Sequence, residues 1–349
     1  MKRFLRQILP AALCLSALGG CMKWDYGRTE DFSATERGLF IVNEGMFQYG
    51  NATLSYYDPE TKTVENEVFH RANAFKLGDV AQSMTIHDGT AYIVVNNSGI
   101  VFGIDPETFR IERVIRGIGS PRYICFNDSV AYVTSLYEPR IAVVDVATAA
   151  VADYIETPDH TSTEQMAIWG DTLYVSCWSY DDAVLMVDLT SGEVAGEIGV
   201  RSQPRQIALD GDGRLWVLTD GGYGEGSSPK PPALYRIDAA SGSIEREFVF
   251  RMGDTPRGLA VGAGGDTVYF LNGDVWRMDT DAEELPREPF IPASNTIYYA
   301  LGVDPRRGDI YVGDAIDYQQ QGVVYRFSAD GRGLDTLRVG IIPTDFCFR

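Results

Sequence analysis

From Gly38 onward the chain alternates short apolar runs with polar loops, and one pattern recurs seven times. The runs are Leu39-Phe40-Ile41-Val42-Asn43, Ala91-Tyr92-Ile93-Val94-Val95, Ala131-Tyr132-Val133-Thr134-Ser135, Leu173-Tyr174-Val175, Leu215-Trp216-Val217, Val268-Tyr269-Phe270 and Ile310-Tyr311-Val312. Each carries an aromatic at its second position, and these aromatics recur every 40 to 53 residues. β-branched and aromatic residues in runs this short predict strands rather than helices. A second apolar run follows each, ending in a residue able to close an Asx- or Ser-type turn: Asp58, Asp105, Asp145, Asp188, Asp238, Asp279 and Ser328. A further strand precedes six of the aromatic runs, over 82–87, 122–127, 165–169, 205–210, 257–262 and 299–304.

Four short strands at this period predict an all-β chain folded as a seven-bladed β-propeller over residues 38–349. The first unit begins at Gly38 with no inner strand of its own. The tail Pro343-Thr344-Asp345-Phe346-Cys347-Phe348 matches Pro121-Arg122-Tyr123-Ile124-Cys125-Phe126, so it is expected to complete the first blade and close the ring.

Propeller topology then predicts which residues share a face. The starts of the inner strands ring the channel mouth: Gln82, Arg122, Glu164 with Gln165, Arg205, Arg257, Tyr299, and Thr344 with Asp345. Loops between the second and third strands return to the same face. They bring Phe47, Tyr49, Asn96, Tyr137, Trp178, Tyr180, Tyr223, Asp317 and Tyr318 around that ring. Aromatics at loop tips beside amides and arginines describe a ligand or partner site. Two plainer readings compete: some aromatics fold back as loop packing, and the arginines neutralise Glu164 and Asp345 across the channel. The seven aromatics inside the second strands read as blade core.

Composition narrows the function. The 349 residues carry 30 Lys plus Arg against 49 Asp plus Glu, a net charge of −19. That balance argues against phosphate neutralisation, so no nucleic-acid partner is expected. Three histidines make a multi-His metal centre an unpromising expectation, and none is assigned. His87 and His160 read as turn residues. The Asp314–Asp317 loop lacks the regular oxygen spacing of a Ca²⁺ loop, and the glycine-rich Asp220–Gly226 stretch lacks the strand-to-helix context of a phosphate cradle.

Residues 1–20 read as a signal peptide: Lys2, Arg3 and Arg6 precede an apolar stretch from Ile8 to Leu18, short of the ~20 residues that span a bilayer. Leu18-Gly19-Gly20-Cys21 fits a lipoprotein cleavage site, with Cys21 becoming the lipidated first residue and 21–37 a polar tether. The other reading is an ordinary secretory signal with a chance cysteine. Lipid chains on Cys21 would hold the protein on the membrane through the anchor alone. Cys125, Cys177 and Cys347 are too few and too widely spaced for a disulfide framework and are expected as buried thiols. No histidine lies near a cysteine by sequence or repeat position, so no catalytic Cys–His pair is expected.

Several of these stretches together resemble a known family. Gly38-Leu39-Phe40-Ile41-Val42-Asn43-Glu44-Gly45, Asn96-Asn97-Ser98-Gly99, Ser120-Pro121-Arg122-Tyr123-Ile124, Ser162-Thr163-Glu164-Gln165-Met166, Cys177-Trp178-Ser179-Tyr180, Asp220-Gly221-Gly222-Tyr223, Asp274-Val275-Trp276-Arg277-Met278 and Asp314-Ala315-Ile316-Asp317-Tyr318 look like the YncE-like surface lipoprotein propellers. Within that group the chain is similar to the BtuG-type cobalamin-binding lipoproteins. The resemblance implies an outer-membrane location facing the cell exterior, capture of cobalamin (vitamin B12) and related corrinoids, and hand-over to a BtuB-type TonB-dependent transporter. It implies binding without catalysis and no cofactor of the protein's own. Two alternatives stay open: a propeller enzyme of lyase or lactonase type, using Glu164, Asp345 and Asp317 at the channel mouth, or a glycan- or protein-binding adaptor on the same face. Strongly perturbed carboxylates or a bound metal would favour the enzyme.

Overall fold

A computed structural model describes residues 27–222, 229–293 and 296–349. The signal peptide, Cys21 and the first part of the tether therefore lie outside the described residues, as does Tyr223. The described chain forms seven antiparallel sheets. Blades two to five run in simple chain order, with inner strands Ala81–His87, Pro121–Asn127, Thr163–Trp169 and Pro204–Leu209. Blades six and seven begin at Arg257–Val261 and Tyr298–Val303. Each inner strand starts within two residues of its predicted position.

Closure takes the predicted form. Pro343–Phe348 pairs with Leu39–Asn43, with Leu39 opposite Phe348 and Ile41 opposite Phe346. The last strand of the chain is thus the inner strand of the first blade.

The two faces of each second strand explain why those strands read as unbroken apolar runs. Ala91, Ile93 and Val95 pack back against the first blade, while Tyr92 and Val94 pack forward against Ile124 and Val133 of the third. Side chains alternate across a strand, so a strand sandwiched between two neighbours needs apolar residues at every position. Seven such clusters, one between each pair of consecutive blades, close the circle. The repeat aromatics Phe40, Tyr92, Tyr132, Tyr174, Trp216, Tyr269 and Tyr311 are all buried in them. The polar tips of two find partners: Tyr174 Oη donates to the Ala239 carbonyl at 2.6 Å, and Trp216 Nε1 to Asp210 Oδ2 at 2.9 Å.

The predicted turn residues close their hairpins. Asp58, Asp105, Asp145, Asp188 and Asp238 each accept backbone N–H groups two or three residues on, and Ser328 Oγ accepts from Arg332 N. Asp279 is the exception, joining its turn through its backbone carbonyl, which accepts from Ala282 N.

Two details depart from a uniform repeat. The sixth blade has three strands, ending at Asp274–Asp279. Beyond it Pro286, Pro289 and Pro292 cannot donate to a ladder, and the chain returns as an isolated bridge of Ile291 to Val275, with Phe290 N–H also donating to the Val275 carbonyl. A short helix, Val68–Asn73, caps the passage from the first blade to the second, burying Val68, Phe69 and Ala72.

Candidate functional site

The inner-strand starts and the adjoining loops converge on one funnel-shaped cavity of about 430 Å³ at the channel mouth. Its wall includes Gln82, Arg122, Trp178, Arg205, Arg257 and Tyr299 from the predicted set, and Glu44, Leu136, Asp220, Thr255 and Pro256 besides. Glu44 and Asp220 each follow a second strand directly, at the first loop position. In the sequence these loops stand out by their aromatics, and a single carboxylate beside them carries no signal of its own.

Charge is nearly balanced inside the funnel. Arg122 is committed to Glu164: its Nη2 and Nε lie 2.7 and 2.9 Å from Glu164 Oε1, and the Glu164 side chain is wholly buried. This is the neutralisation the sequence suggested for Arg122. Asp345 instead accepts Met84 N–H at 2.8 Å, with burial pushing its pKa up to about 6. Arg122 and Arg205 both lie against the Trp178 ring, their guanidinium carbons 5.8 and 5.2 Å from its centroid. Trp178 Nε1 donates to Asp220 Oδ2 at 3.0 Å. Arg257 stands over the Tyr299 ring at 5.8 Å and forms no salt bridge among the described residues. Tyr299 Oη donates to Glu44 Oε2 at 3.1 Å.

Burial raises the pKa of both Glu44 and Asp220, because their charged forms lose water. Hydrogen bonds and the nearby arginines oppose that rise without cancelling it: Tyr299, Arg122 and Arg205 for Glu44; Trp178, Gly222, Arg205 and Arg257 for Asp220. Burial thus makes the charged form of each carboxyl costlier than it is in water.

Around the funnel stands a rim of exposed aromatics: Phe47 62%, Tyr49 68%, Tyr137 73%, Tyr180 72% and Tyr318 38% exposed. Burial therefore does not account for them, and the loop-packing alternative holds only in part for Tyr318, which meets Tyr299 edge to face at 5.8 Å. Tyr180 and Tyr318 also adopt left-handed backbone, at φ 65° and 62°. For residues of this size that conformation costs on the order of 1 kcal/mol or more.

Other predicted residues go elsewhere. Asn96 Nδ2 donates to the Pro121 carbonyl at 3.1 Å, and Gln165 Oε1 accepts Ile207 N–H at 3.0 Å, so both amides tie neighbouring blades together. Asp317 caps an exposed turn by accepting Gln319 and Gln320 N–H. Glu164, Asp345 and Asp317, grouped as possible catalytic carboxylates, are thus each held by a separate structural partner.

All three described cysteines are free thiols, with Cys177 and Cys347 buried and Cys125 half-buried. The expectation that no histidine approaches a cysteine needs correcting. His160 does sit in a turn, but the fold brings it beside Cys177 and Asp181. A contact between a turn and a strand end of the same blade leaves no trace in repeat spacing.

Fold and site together define a seven-bladed propeller with an arginine- and aromatic-lined funnel on one face. The chain belongs to the family described as a domain of unknown function, DUF5074, which matches residues 37–339. Solved structures of the same fold include a quinonprotein alcohol dehydrogenase-like protein from Bacteroides thetaiotaomicron, at TM-score 0.68 and 17% identity, covering 90% of this chain and 78% of that one. Hydrazine synthase from Kuenenia stuttgartiensis aligns at TM-score 0.66 and 17% identity over 76% and 89%. A computationally designed protein, Ika8, aligns at 0.59 and 11% over 90% and 92%. No curated protein matches the chain. At these identities the likeness is one of fold. Among the described residues no helix is long and apolar enough to cross a membrane.

Proposed function

We propose that this chain is a lipid-anchored receptor of the outer membrane that captures cobalamin and related corrinoids on its funnel face and passes them to a TonB-dependent transporter. The observation that carries the reading is the exposed aromatic rim around an arginine-lined funnel. A corrinoid is broad, flat and fringed with amides. The cavity is too small to enclose it, so the corrin would lie across the mouth on Phe47, Tyr49, Tyr137, Tyr180 and Tyr318. One polar group, an amide arm or the nucleotide phosphate, would then enter toward Arg257, Arg205 and Gln82. A rigid propeller surface needs little ordering on binding, which favours affinity. The reading involves no chemistry on the ligand and no cofactor of the protein's own. The Cys21 anchor would supply the outward-facing membrane location.

A titration of the purified protein with cyanocobalamin, followed by calorimetry and by the corrin absorbance, tests this. Tight 1:1 binding, lost in Trp178→Ala with Arg257→Ala, supports it. The absence of heat and of any spectral change up to millimolar ligand overturns it.

One observation favours a second reading, acid–base chemistry on a bound ligand: Glu44 and Asp220 share the cavity, and burial raises both. Recovering the corrinoid unchanged after prolonged incubation separates a receptor from an enzyme acting on it.

A further inference from the structure

The fourth blade holds a second cluster, none of whose members lines the funnel. His160 lies in the turn before the inner strand Thr163–Trp169, and Cys177 ends the second strand Thr172–Cys177. Asp181 sits in the loop that follows, and Glu197 on the outer strand Glu193–Gly199. A ring nitrogen of His160, Cys177 Sγ and an Asp181 carboxylate oxygen all lie within 4.8 Å of one another. His160 Nδ1 is 2.8 Å from Asp181 Oδ2, and Nε2 is 3.3 Å from Glu197 Oε2. Cys177 is sealed from solvent, His160 and Asp181 are slightly open, and Glu197 is largely exposed. The cluster therefore has a closed thiol floor and an open carboxylate side through which an ion could enter.

One thiol, one imidazole and one carboxylate, with a fourth position left for water, are a donor set for a borderline cation such as Zn²⁺. Metal–donor bonds of about 2.0–2.3 Å place the donors of a tetrahedral site about 3.3–3.8 Å apart, so these need to draw in by about 1.5 Å at most. His160 and Asp181, on a turn and a loop, are the groups free to make that adjustment. A histidine clamped between two carboxylates would explain three members without metal, leaving Cys177 as a small apolar filler. The two accounts differ in what the sulfur does.

We propose that His160, Cys177 and Asp181 form a binding site for a divalent cation of the zinc class, with Glu197 holding the far side of the His160 ring as an outer partner. On binding, the Cys177 proton leaves to solvent and the sulfur coordinates as thiolate, while His160 ligates through an unprotonated ring nitrogen. The ion then fastens the turn at His160 to the loop from Trp178 to Asp182, which carries two of the funnel-face aromatics. The site stands independently of the corrinoid reading.

Titrating the metal-free full-length protein with Co²⁺ reads thiolate ligation directly, through sulfur-to-cobalt charge transfer in the near ultraviolet. The expected result is 1:1 binding with that band, displaced by Zn²⁺. Cys177→Ser should abolish the band. His160→Gln and Asp181→Asn should each weaken Co²⁺ binding by at least the roughly 10–100-fold typical of losing an outer partner. Cys125→Ser, on the third blade, should leave the spectrum unchanged. No charge-transfer band up to millimolar Co²⁺, a band that survives Cys177→Ser, or an unchanged Co²⁺ affinity in His160→Gln overturns the site. Should Cys177→Ser fail to fold, His160→Gln decides alone.

Discussion

Replacing Arg122 with alanine probes the floor of the funnel. The Glu164 side chain is wholly buried, and its Oε1 takes both Arg122 contacts, at 2.7 and 2.9 Å. Its other oxygen has no hydrogen-bond partner among the described residues. Removing the guanidinium leaves a buried carboxylate with nothing to offset its lost hydration, a defect that costs about 3–5 kcal/mol. Unfolding entropy of about 2.1 cal/mol/K per residue gives roughly 0.65 kcal/mol/K over a propeller of this length, so Tm should fall by about 5–8 °C. Adding Glu164→Gln to Arg122→Ala removes the charge as well as its partner and should restore more than half of that loss. Differential scanning calorimetry of the wild type, both single variants and the double variant closes the cycle. A fall under about 1 °C for Arg122→Ala, or no recovery in the double variant, would refute the buried-pair account.

Other outcomes follow from the same geometry. Asp345 has its pKa raised by burial to about 6, so between pH 4 and 6 the folded chain holds a proton that the unfolded chain has released. Its contribution is therefore complete below about pH 4 and lost as pH rises through 6, worth roughly 3 kcal/mol. Asp345→Asn should flatten that part of a urea-denaturation pH profile, and an unchanged slope would contradict it. Deleting residues 343–349 removes the inner strand of the first blade and exposes the edge of Leu39–Asn43. The truncated chain should lose its cooperative transition and associate in light scattering; a monomer with unchanged Tm would deny the closure its role. Ile93→Ala, between the first and second blades, should cost about 2–5 kcal/mol in denaturant titrations, as for other fully buried aliphatics. Under about 1 kcal/mol would mean that the site collapses around the gap.

The sequence by itself determined the fold nearly to the strand. Seven aromatics at a fixed place in the repeat, apolar runs without alternation and an Asp closing most outer hairpins each report a local requirement that every blade must meet. The tail matching an inner strand gave ring closure for the same reason. Of the funnel, the sequence supplied what topology alone can supply: the inner-strand starts at Gln82, Arg122, Arg205, Arg257 and Tyr299, and the aromatic-bearing loops.

Only the tertiary structure decided how each side chain is used there. Gln82 and Gln165 both start inner strands and both amides reach the next blade, Gln82 Nε2 donating to Tyr123 Oη at 3.2 Å and Gln165 Oε1 accepting Ile207 N–H at 3.0 Å, yet of the two Gln82 alone borders the cavity. Arg122 and Arg257 occupy equivalent repeat positions, but a buried glutamate exists in reach of the first alone. Glu44 and Asp220 carry no pattern, because a carboxylate just past a strand is ordinary until the fold encloses it. His160 meets Cys177 through a turn whose path no periodicity encodes. Repetition makes backbone placement legible, because each unit restates it. Side-chain partnership is settled once, in space, by whichever polar group lies close enough to offset the cost of burial.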